Sequence, residues 1–258
     1  MNTLFSLGRK TFILAIFIFL YLPIAVLVAF SFNTKSFPCP FEHFTFHWYQ
    51  ELFRTPELWD SFFNSLIVSV SSTMISITLG LMIICFHIYG SRIKKFIPLF
   101  YGNLVIPETV LAMALISFFS FCNIPLGMHT LIVSHAVIAL GFVVPILYVR
   151  YRHLDPRMVE ASAVLGATPK QTFFKIVLPQ LKPAIISVGL LVFVISFDDF
   201  ILSYFCSGTS FQTLSIYLVS SLRYGISPVV NALSTLLLLG TCIALLIFFS
   251  PKVKTRIF

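Results

Sequence analysis

Six apolar stretches, each at least 20 residues long, dominate this sequence of 258 residues. A helix needs about 20 apolar residues to cross the hydrocarbon core of a bilayer, so each stretch predicts a membrane-spanning helix. Only 10% of the residues are charged, against roughly 25% in an average soluble domain, and this excludes a water-soluble enzyme or regulator. The predicted spans are residues 11–32, 61–89, 96–121, 130–149, 184–205 and 229–249.

Basic residues are divided very unevenly between the two sides that these spans define. Fourteen of the 17 Lys and Arg residues fall on the side that carries both termini, and three, Lys35, Arg54 and Arg223, fall on the other. By the positive-inside rule, both termini are expected in the cytoplasm, which agrees with an even number of spans. The formal net charge of +8 is then a topology signal, and we expect membrane lipid rather than nucleic acid around the protein.

The longest inner loop, residues 150–183, contains two helix-start signals. Asp155-Pro156 and Thr168-Pro169 each pair a capping residue with a proline that suits the first helical position. Gly166 fits the position just after a helix end, and Pro179 is expected to limit the second helix. The loop is therefore predicted to form two short helices, which could rest on the membrane or dock a cytoplasmic partner.

Fixed positions in the same loop form a pattern: Glu160-Ala161-Ser162, then three residues, Gly166, nine residues, and Ile176-Val177-Leu178-Pro179. The pattern resembles the EAA loop of ATP-binding cassette (ABC) importer permeases, with Ser162 in place of an alanine. The resemblance implies an all-α membrane protein of type I (MetI-like) permease architecture, with six transmembrane helices in one domain over residues 1–258. It also implies that the loop seats on an ATP-binding subunit through Glu160, Ala161, Ser162, Gly166, Leu178 and Pro179.

Three carboxylic acids fall within the predicted spans, whereas no Lys or Arg does: Glu108, Asp198 and Asp199. An acid at mid-depth costs about 2.5–3.5 kcal/mol on insertion scales, so three of them need an explanation. Pro107, just before Glu108, is expected to bend the third helix toward a cavity. Which aspartate would line a pathway stays open, because adjacent residues point about 100° apart on a helix.

The acids have more than one explanation. The first is a negative strip that replaces water around a cation, with aromatic rings such as that of Tyr204 adding cation–π contacts. The others are a protonated acid that is hydrogen-bonded between helices, and a helix-end cap if the fifth span breaks at the aspartates. An organic cation with several charges would suit a negative strip better than a sugar or an anion.

Several longer segments extend the resemblance along the chain. They are Ile106-Pro107-Glu108, Leu154-Asp155-Pro156-Arg157, Gly166-Ala167-Thr168-Pro169, Ser196-Phe197-Asp198-Asp199-Phe200 and Ile226-Ser227-Pro228. These segments resemble the spermidine/putrescine permeases of ABC importers. The resemblance implies ATP-driven polyamine import by alternating access, with a second permease subunit, two ATP-binding subunits and an outer solute-binding protein. A permease for another small solute, a cation channel or proton-coupled carrier, and a membrane enzyme are the alternatives.

Motifs for catalysis or cofactor binding are missing from the sequence. There is no G-x-x-x-x-G-K-[ST] segment, so ATP and Mg²⁺ are expected on a partner subunit. The six histidines are scattered and are interpreted as structural or interfacial, and the five cysteines are too widely spaced to favour a disulfide or a metal site. We therefore expect no catalytic residue, metal or bound cofactor in a multi-pass protein of the bacterial cytoplasmic membrane.

Overall fold

A computed structural model describes residues 2–35, 39–88, 95–209, 211–223 and 227–248. Within these ranges the chain is helical and forms no β-strand, apart from one isolated antiparallel bridge between Asn33 and Phe44. The chain divides into two compact units. The first is Met1–Leu58 with Leu218–Phe258, and the second is Trp59–Tyr217.

Helices follow one another along the chain with short connections. In order they are α1 (Asn2–Phe30), α2 (His47–Phe53), α3 (Pro56–Ile88), α4 (Ile97–Val105), α5 (Glu108–Phe121), α6 (Met128–Arg152), α7 (Pro156–Val164), α8 (Pro169–Thr172), α9 (Leu178–Asp198), α10 (Ile201–Cys206), α11 (Leu214–Arg223) and α12 (Pro228–Phe248). A π-helical turn, Phe173–Val177, connects α8 to α9.

Four of these helical segments are long and apolar enough to cross a membrane: Lys10–Phe30, Pro56–Ile88, Met128–Arg152 and Pro169–Asp198. They correspond to the first, second, fourth and fifth predicted spans. A fifth crossing exists if α4 and α5 count as one broken span, and the described part of α12 is apolar over Pro228–Ile243. The count of six spans and the cytoplasmic position of both termini stay predictions.

In the second unit, α3 and α6 pack together through two apolar clusters, one of which includes α9. One cluster joins these three helices to the π-helical turn, and the other joins α3 and α6 to α5 and α10. Helix α3 comes very close to α6 at Gly80, where a Cβ atom would lie only 2.6 Å from Val143 Cγ1. Small residues allow this approach, which is a common way for helices to pack in lipid.

The third predicted span, residues 96–121, is not one helix. Helices α4 and α5 meet at an angle of 113°, with Ile106 extended (φ −70°, ψ 128°) immediately before Pro107. A proline disfavours helical geometry at the preceding residue and has no N–H to donate, which favours a helix break at this pair. The expected bend at Pro107 is therefore present as a full break.

The fifth span also differs from its predicted bounds of 184–205. Its helix begins before residue 184 and ends at Asp198, and Asp199 is extended (φ −66°, ψ 127°). The chain becomes helical again at Ile201. Asp199 ends one helix and caps the next, because a carboxylate can accept hydrogen bonds from the free N–H groups of a new helix.

The inner loop contains the two predicted helix starts. Asp155 Oδ1 accepts a hydrogen bond from the Arg157 N–H at 3.0 Å and caps α7, while Thr168 caps α8 in a reciprocal pair with Gln171. Gly166 lies between them with a φ of +77°, a left-handed conformation that favours glycine. We call residues 155–172 the coupling hairpin.

The prediction that Pro179 limits the second loop helix is wrong. Pro179 is the second residue of α9, and the helix runs without interruption from Pro169 to Asp198. The π-helical turn at Phe173–Val177 precedes the proline, and a wider turn accommodates a residue that has no N–H to donate. The second hairpin helix is therefore the beginning of the fifth span.

Candidate functional site

Two helix breaks bring Glu108 and Asp199 together. Glu108 is the first residue of α5, directly after the break at Pro107, and Asp199 occupies the break between α9 and α10. Both side chains line one narrow cavity inside the second unit, together with His135 and Ser196. The two carboxyl side chains therefore share one small site. Two carboxylates that share a site cannot both ionise freely, so a proton or a cation is needed between them.

Asp199 also has a structural task at its break. Its Oδ2 accepts a hydrogen bond from the Ser203 N–H at 3.0 Å, and its Oδ1 lies 3.4 Å from the Leu202 nitrogen. Its backbone carbonyl accepts a hydrogen bond of 2.6 Å from Ser215 Oγ. From the sequence, a helix-end cap and a pathway acid are alternatives for this residue. In the structure the Asp199 carboxylate accepts hydrogen bonds at the start of α10 and also lines the cavity.

His135 completes the cavity from the unbroken helix α6. Its Nε2 lies 3.4 Å from Asp199 Oδ2, and its Nδ1 lies 2.8 Å from Ser196 Oγ. Ser196 Oγ in turn lies 3.1 Å from Ser72 Oγ on α3. From the sequence alone, His135 is expected to be structural or interfacial. Its position within a predicted span is the signal for a site, because an ionisable side chain in a span indicates function just as an acid does.

Asp198 and Tyr204, the other two predicted pathway residues, do not line this cavity. Asp198 is the last residue of α9 and its side chain is exposed. Tyr204 is 56% exposed on α10, and its ring lies 5.6 Å from that of Phe200, measured between centroids. The structure thus brings Glu108 to Asp199 and leaves Asp198 and Tyr204 on the surface of this chain.

No arrangement for a bound metal is found in the part of the chain that the structure describes. Among those residues, no group of three or more His, Cys, Asp and Glu side chains is placed to hold a metal ion. Among the described residues that line the cavity, none is Lys or Arg. The cavity therefore presents acidic and neutral polar groups without a built-in basic counter-ion.

The predicted coupling residues are divided between an exposed hairpin and a packed helix. Glu160, Ala161 and Gly166 are exposed. Ser162 is buried, with its hydroxyl donating to the Val159 carbonyl at 2.7 Å and lying 2.8 Å from Thr172 Oγ1.

Leu178 and Pro179, the remaining two coupling residues, lie at the start of α9. Leu178 packs against the apolar cluster of α3, α6 and α9, whereas Pro179 is exposed. At the tip of the coupling hairpin, two large apolar side chains are strongly exposed, with Val164 at 88% and Leu165 at 86%. The hairpin therefore projects an apolar tip from a base that is held by buried hydrogen bonds.

Solved structures provide the first comparison. Over 96% of this chain and 93% of the other, the fold matches a bacterial ABC transporter involved in the import of the acidic polysaccharide alginate, with a TM-score of 0.70 and 17% identity. It also matches the MetNI methionine ABC transporter in an inward-facing conformation, with a TM-score of 0.60 and 18% identity over 79% of this chain and 98% of the other. At these identities, the likeness shows the fold.

Sequence comparisons are closer. The chain is 32% identical to the spermidine/putrescine transport system permease protein PotC of Haemophilus influenzae, over 89% of this chain and 90% of that protein. It is 35% identical to PotC of Escherichia coli K12, over 89% and 88% of the two chains. It is 32% identical to the putrescine transport system permease protein PotI of the same strain, over 89% and 85%.

A family model settles the assignment. Residues 89–254 match the binding-protein-dependent transport system inner membrane component, which is well over half of the chain. This segment includes the coupling hairpin, both helix breaks and the cavity that Glu108 and Asp199 line. The chain therefore belongs to the family of binding-protein-dependent transport system inner membrane components and is a permease of an ABC importer in the inner membrane.

Proposed function

We propose that this permease moves polyamines such as spermidine and putrescine into the cytoplasm by alternating access. The observation that carries the proposal is the position of Glu108 and Asp199 in the lining of one cavity, whose described lining contains no Lys or Arg. An organic cation would supply the positive charge that two carboxyl groups in one site need. The relatives named as spermidine/putrescine and putrescine permeases support the same substrate class.

The cavity favours amines over other small solutes for electrostatic reasons. A sugar would leave two carboxyl groups without a charged partner, and an anion would be repelled by them. A chain with ammonium groups at both ends could contact Glu108 and Asp199 with one group while the next remains near exposed rings such as that of Tyr204. Asp198, exposed at the end of α9, would be a third carboxylate along such a path.

Energy for transport is expected to come from partner subunits. We propose that the coupling hairpin docks on an ATP-binding subunit through Glu160, Ala161, Gly166 and its apolar tip, with Ser162 holding the hairpin closed and Leu178 and Pro179 anchoring its base. Exposed Val164 and Leu165 support this, because large apolar side chains in an aqueous loop are usually covered by a partner. ATP and Mg²⁺ would bind to that partner, so this chain would carry no cofactor and catalyse no reaction.

The complete importer would contain four kinds of component. They are this chain, a second permease subunit, two ATP-binding subunits and an outer solute-binding protein. A second permease subunit would also cover part of the exposed helix surface of this chain. The binding-protein partner is supported by the family description, since members act in binding-protein-dependent transport systems.

Uptake by the reconstituted complex tests the substrate and the energy source together. Liposomes that contain the assembled importer should accumulate labelled putrescine or spermidine only when ATP is inside and loaded binding protein is outside. A non-hydrolysable ATP analogue serves as the control and should abolish uptake. Uptake that competes with an unlabelled amino acid or sugar but not with amines would assign a different solute.

A cation channel or proton-coupled carrier is the competing class of function. The contact between Asp199 and His135 is one that a proton relay could also use. Such a protein would move amines without ATP and would stop when a protonophore collapses the proton gradient. ATP-independent, protonophore-sensitive uptake would therefore replace the importer proposal.

A further inference from the structure

A chain of hydroxyl groups leads from α3 to His135. Ser72 Oγ lies 3.2 Å from the Ser69 carbonyl oxygen and 3.1 Å from Ser196 Oγ. We assign the single hydroxyl proton of Ser72 to the Ser69 carbonyl, so that Ser72 Oγ accepts from Ser196. Ser196 has thereby used its own proton, so in the contact of 2.8 Å it accepts from His135 Nδ1–H.

This assignment leaves His135 Nε2 as a bare lone pair that is aimed into the cavity. A neutral imidazole carries a proton on one nitrogen, and here that nitrogen is Nδ1. The His135 side chain is only 2% exposed, and Nε2 is a buried atom without a hydrogen-bond partner in the structure. Its neighbour at 3.4 Å, Asp199 Oδ2, is also an acceptor and already receives the Ser203 N–H.

With both acids ionised, the cavity therefore gathers three acceptors, and its described lining residues include no Lys or Arg to donate to them. The acceptors are the carboxyl groups of Glu108 and Asp199 and the Nε2 of His135. The space between them is narrow and has room for a group of about the size of one water molecule. A primary ammonium group has that size, carries a positive charge and offers three N–H donors.

We propose that His135 binds the primary ammonium group of the transported amine through Nε2, with the Ser196–Ser72–Ser69 relay holding the imidazole in the Nδ1–H form. This inference rests on the proposed function. It adds the neutral Nε2 atom of His135 to the carboxyl groups of Glu108 and Asp199 as a third ligand of the amine. A quaternary ammonium group has no N–H donor and is larger than the cavity, so the same three acceptors select against methylated amines.

The tautomer of His135 can be read directly by nitrogen NMR. The permease is labelled with ¹⁵N-histidine and assembled into the complete importer in liposomes, and the His135 signals are assigned by their loss in His135→Gln. We expect a protonated Nδ1 and an unprotonated Nε2, with the Nε2 signal shifting when putrescine is added. A protonated Nε2, or an Nε2 signal that ignores putrescine in a complex that transports it, would overturn the proposal.

Ser72→Ala checks the relay without touching the cavity. Without Ser72 Oγ as an acceptor, Ser196 is free to donate to Nδ1, so the fixed tautomer should become a mixture of both forms. Thr73→Ala on the same helix is a matched control, since no contact of its hydroxyl with the relay is present, and it should leave the His135 signals unchanged. A fixed Nδ1–H form in Ser72→Ala would contradict the relay.

Transport by two His135 variants separates an amine ligand from a packing role. Gln can keep an acceptor oxygen near the Nε2 position, whereas Leu fills similar space without one. Because a hydrogen bond to a charged group is lost only in the second variant, His135→Leu should lower putrescine molecules moved per ATP hydrolysed by about tenfold. His135→Gln should stay within about threefold of the unchanged protein.

The outcomes distinguish this inference from the proposed function. If the unchanged importer takes up no amine, the proposed function itself fails. If it takes up putrescine and the Gln and Leu variants have the same ratio of uptake to hydrolysis, His135 is not an amine ligand, and the polyamine proposal stands without it. Equal abundance of both variants in the assembled complex excludes misfolding as the cause of a difference.

Discussion

The hydroxyl oxygens of Ser162 and Thr172 lie 2.8 Å apart and connect the two helices of the coupling hairpin. Ser162 donates its proton to the Val159 carbonyl at 2.7 Å, so Thr172 is the donor in the contact between them. Both side chains are almost fully buried, at 5% and 3% exposure. The serine that departs from the E-A-A pattern therefore adds a hydrogen bond that alanine cannot make.

Ser162→Ala is expected to loosen the hairpin without unfolding the protein. The Thr172 hydroxyl would lose a buried partner, at a cost of about 1 kcal/mol. Amide exchange at Ala167, whose N–H donates to the Ser162 carbonyl at 3.0 Å, should become roughly fivefold faster. Thr172→Val should give the same change, and the double variant should add little to either, because both remove one interaction. Fully additive effects would contradict the pairing.

Gly166 substitutions should act through the backbone. The residue has a φ of +77° and open space around its Cα, with nothing of this chain within 4 Å of an added Cβ. Gly166→Ala should destabilise the hairpin by about 1 kcal/mol, and Gly166→Asn by less, because asparagine tolerates this conformation better. Amide exchange of the hairpin measures this difference in stability.

Gly166→Asp addresses docking instead. Since no clash occurs within the chain, loss of the ATP-binding subunit from the purified complex would come from the added charge at the docking surface. We expect that loss, together with a fall in amine-stimulated ATP hydrolysis, while the Asn variant still co-purifies. Normal assembly and hydrolysis in Gly166→Asp would remove Gly166 from the proposed docking surface.

Asp199→Asn should separate the pathway role of this residue from its capping role. Asparagine caps a helix about as well as aspartate, so α10 should persist and the protein should reach normal abundance. Amine uptake should fall by at least tenfold, because the cavity loses one of its two carboxyl groups. Uptake equal to that of the unchanged protein would refute the cation site.

Asp198→Asn is the matched comparison at the neighbouring position. Its carboxylate is exposed and does not line the cavity, and a charge outside the buried site contributes less to binding a cation there than a buried one. Uptake should therefore fall severalfold rather than tenfold or more. A larger loss at Asp198 than at Asp199 would move the centre of the pathway away from the cavity.

Gly141→Ala tests the close approach of α4 and α6. An added Cβ at this position would lie 2.7 Å from Asn103 Cβ, and Asn103 Nδ2 donates a hydrogen bond of 2.8 Å to the Val137 carbonyl. The crowding should cost about 1–3 kcal/mol and lower the thermal midpoint of the purified protein. Gly102→Ala, with nothing within 4 Å, is the control and should be close to neutral or stabilising.

Local sequence signals predicted the hairpin well because they depend on neighbouring residues. Asp155-Pro156, Thr168-Pro169 and Gly166 are short-range patterns whose geometry is largely independent of the rest of the fold. The break at Pro107 also has a local cause. For these elements, the sequence contains both the residue and the physical reason for its conformation.

The break at Asp199 depends on one local and one more distant contact, and the role of His135 depends on a distant one. The segment Ser196–Phe200 contains neither proline nor glycine, and its apolar surroundings are typical of a continuous span. Asp199 is hydrogen-bonded to Ser203 and Ser215. The orientation of the His135 ring depends on its contact with Ser196, 61 residues away in the chain. Such side-chain pairings arise in the packed protein and leave no periodic pattern in one sequence.

The uninterrupted helix Pro169–Asp198 has a mechanical consequence. Its 30 residues form a continuous helical path of about 45 Å, whose first turn belongs to the coupling hairpin and whose last residue adjoins Asp199. A displacement of the hairpin would therefore be carried along this helix towards Asp199. In the proposed importer, the affinity for the amine at Asp199 would then change with each cycle of ATP hydrolysis, although the subunit that hydrolyses ATP is far from the cavity.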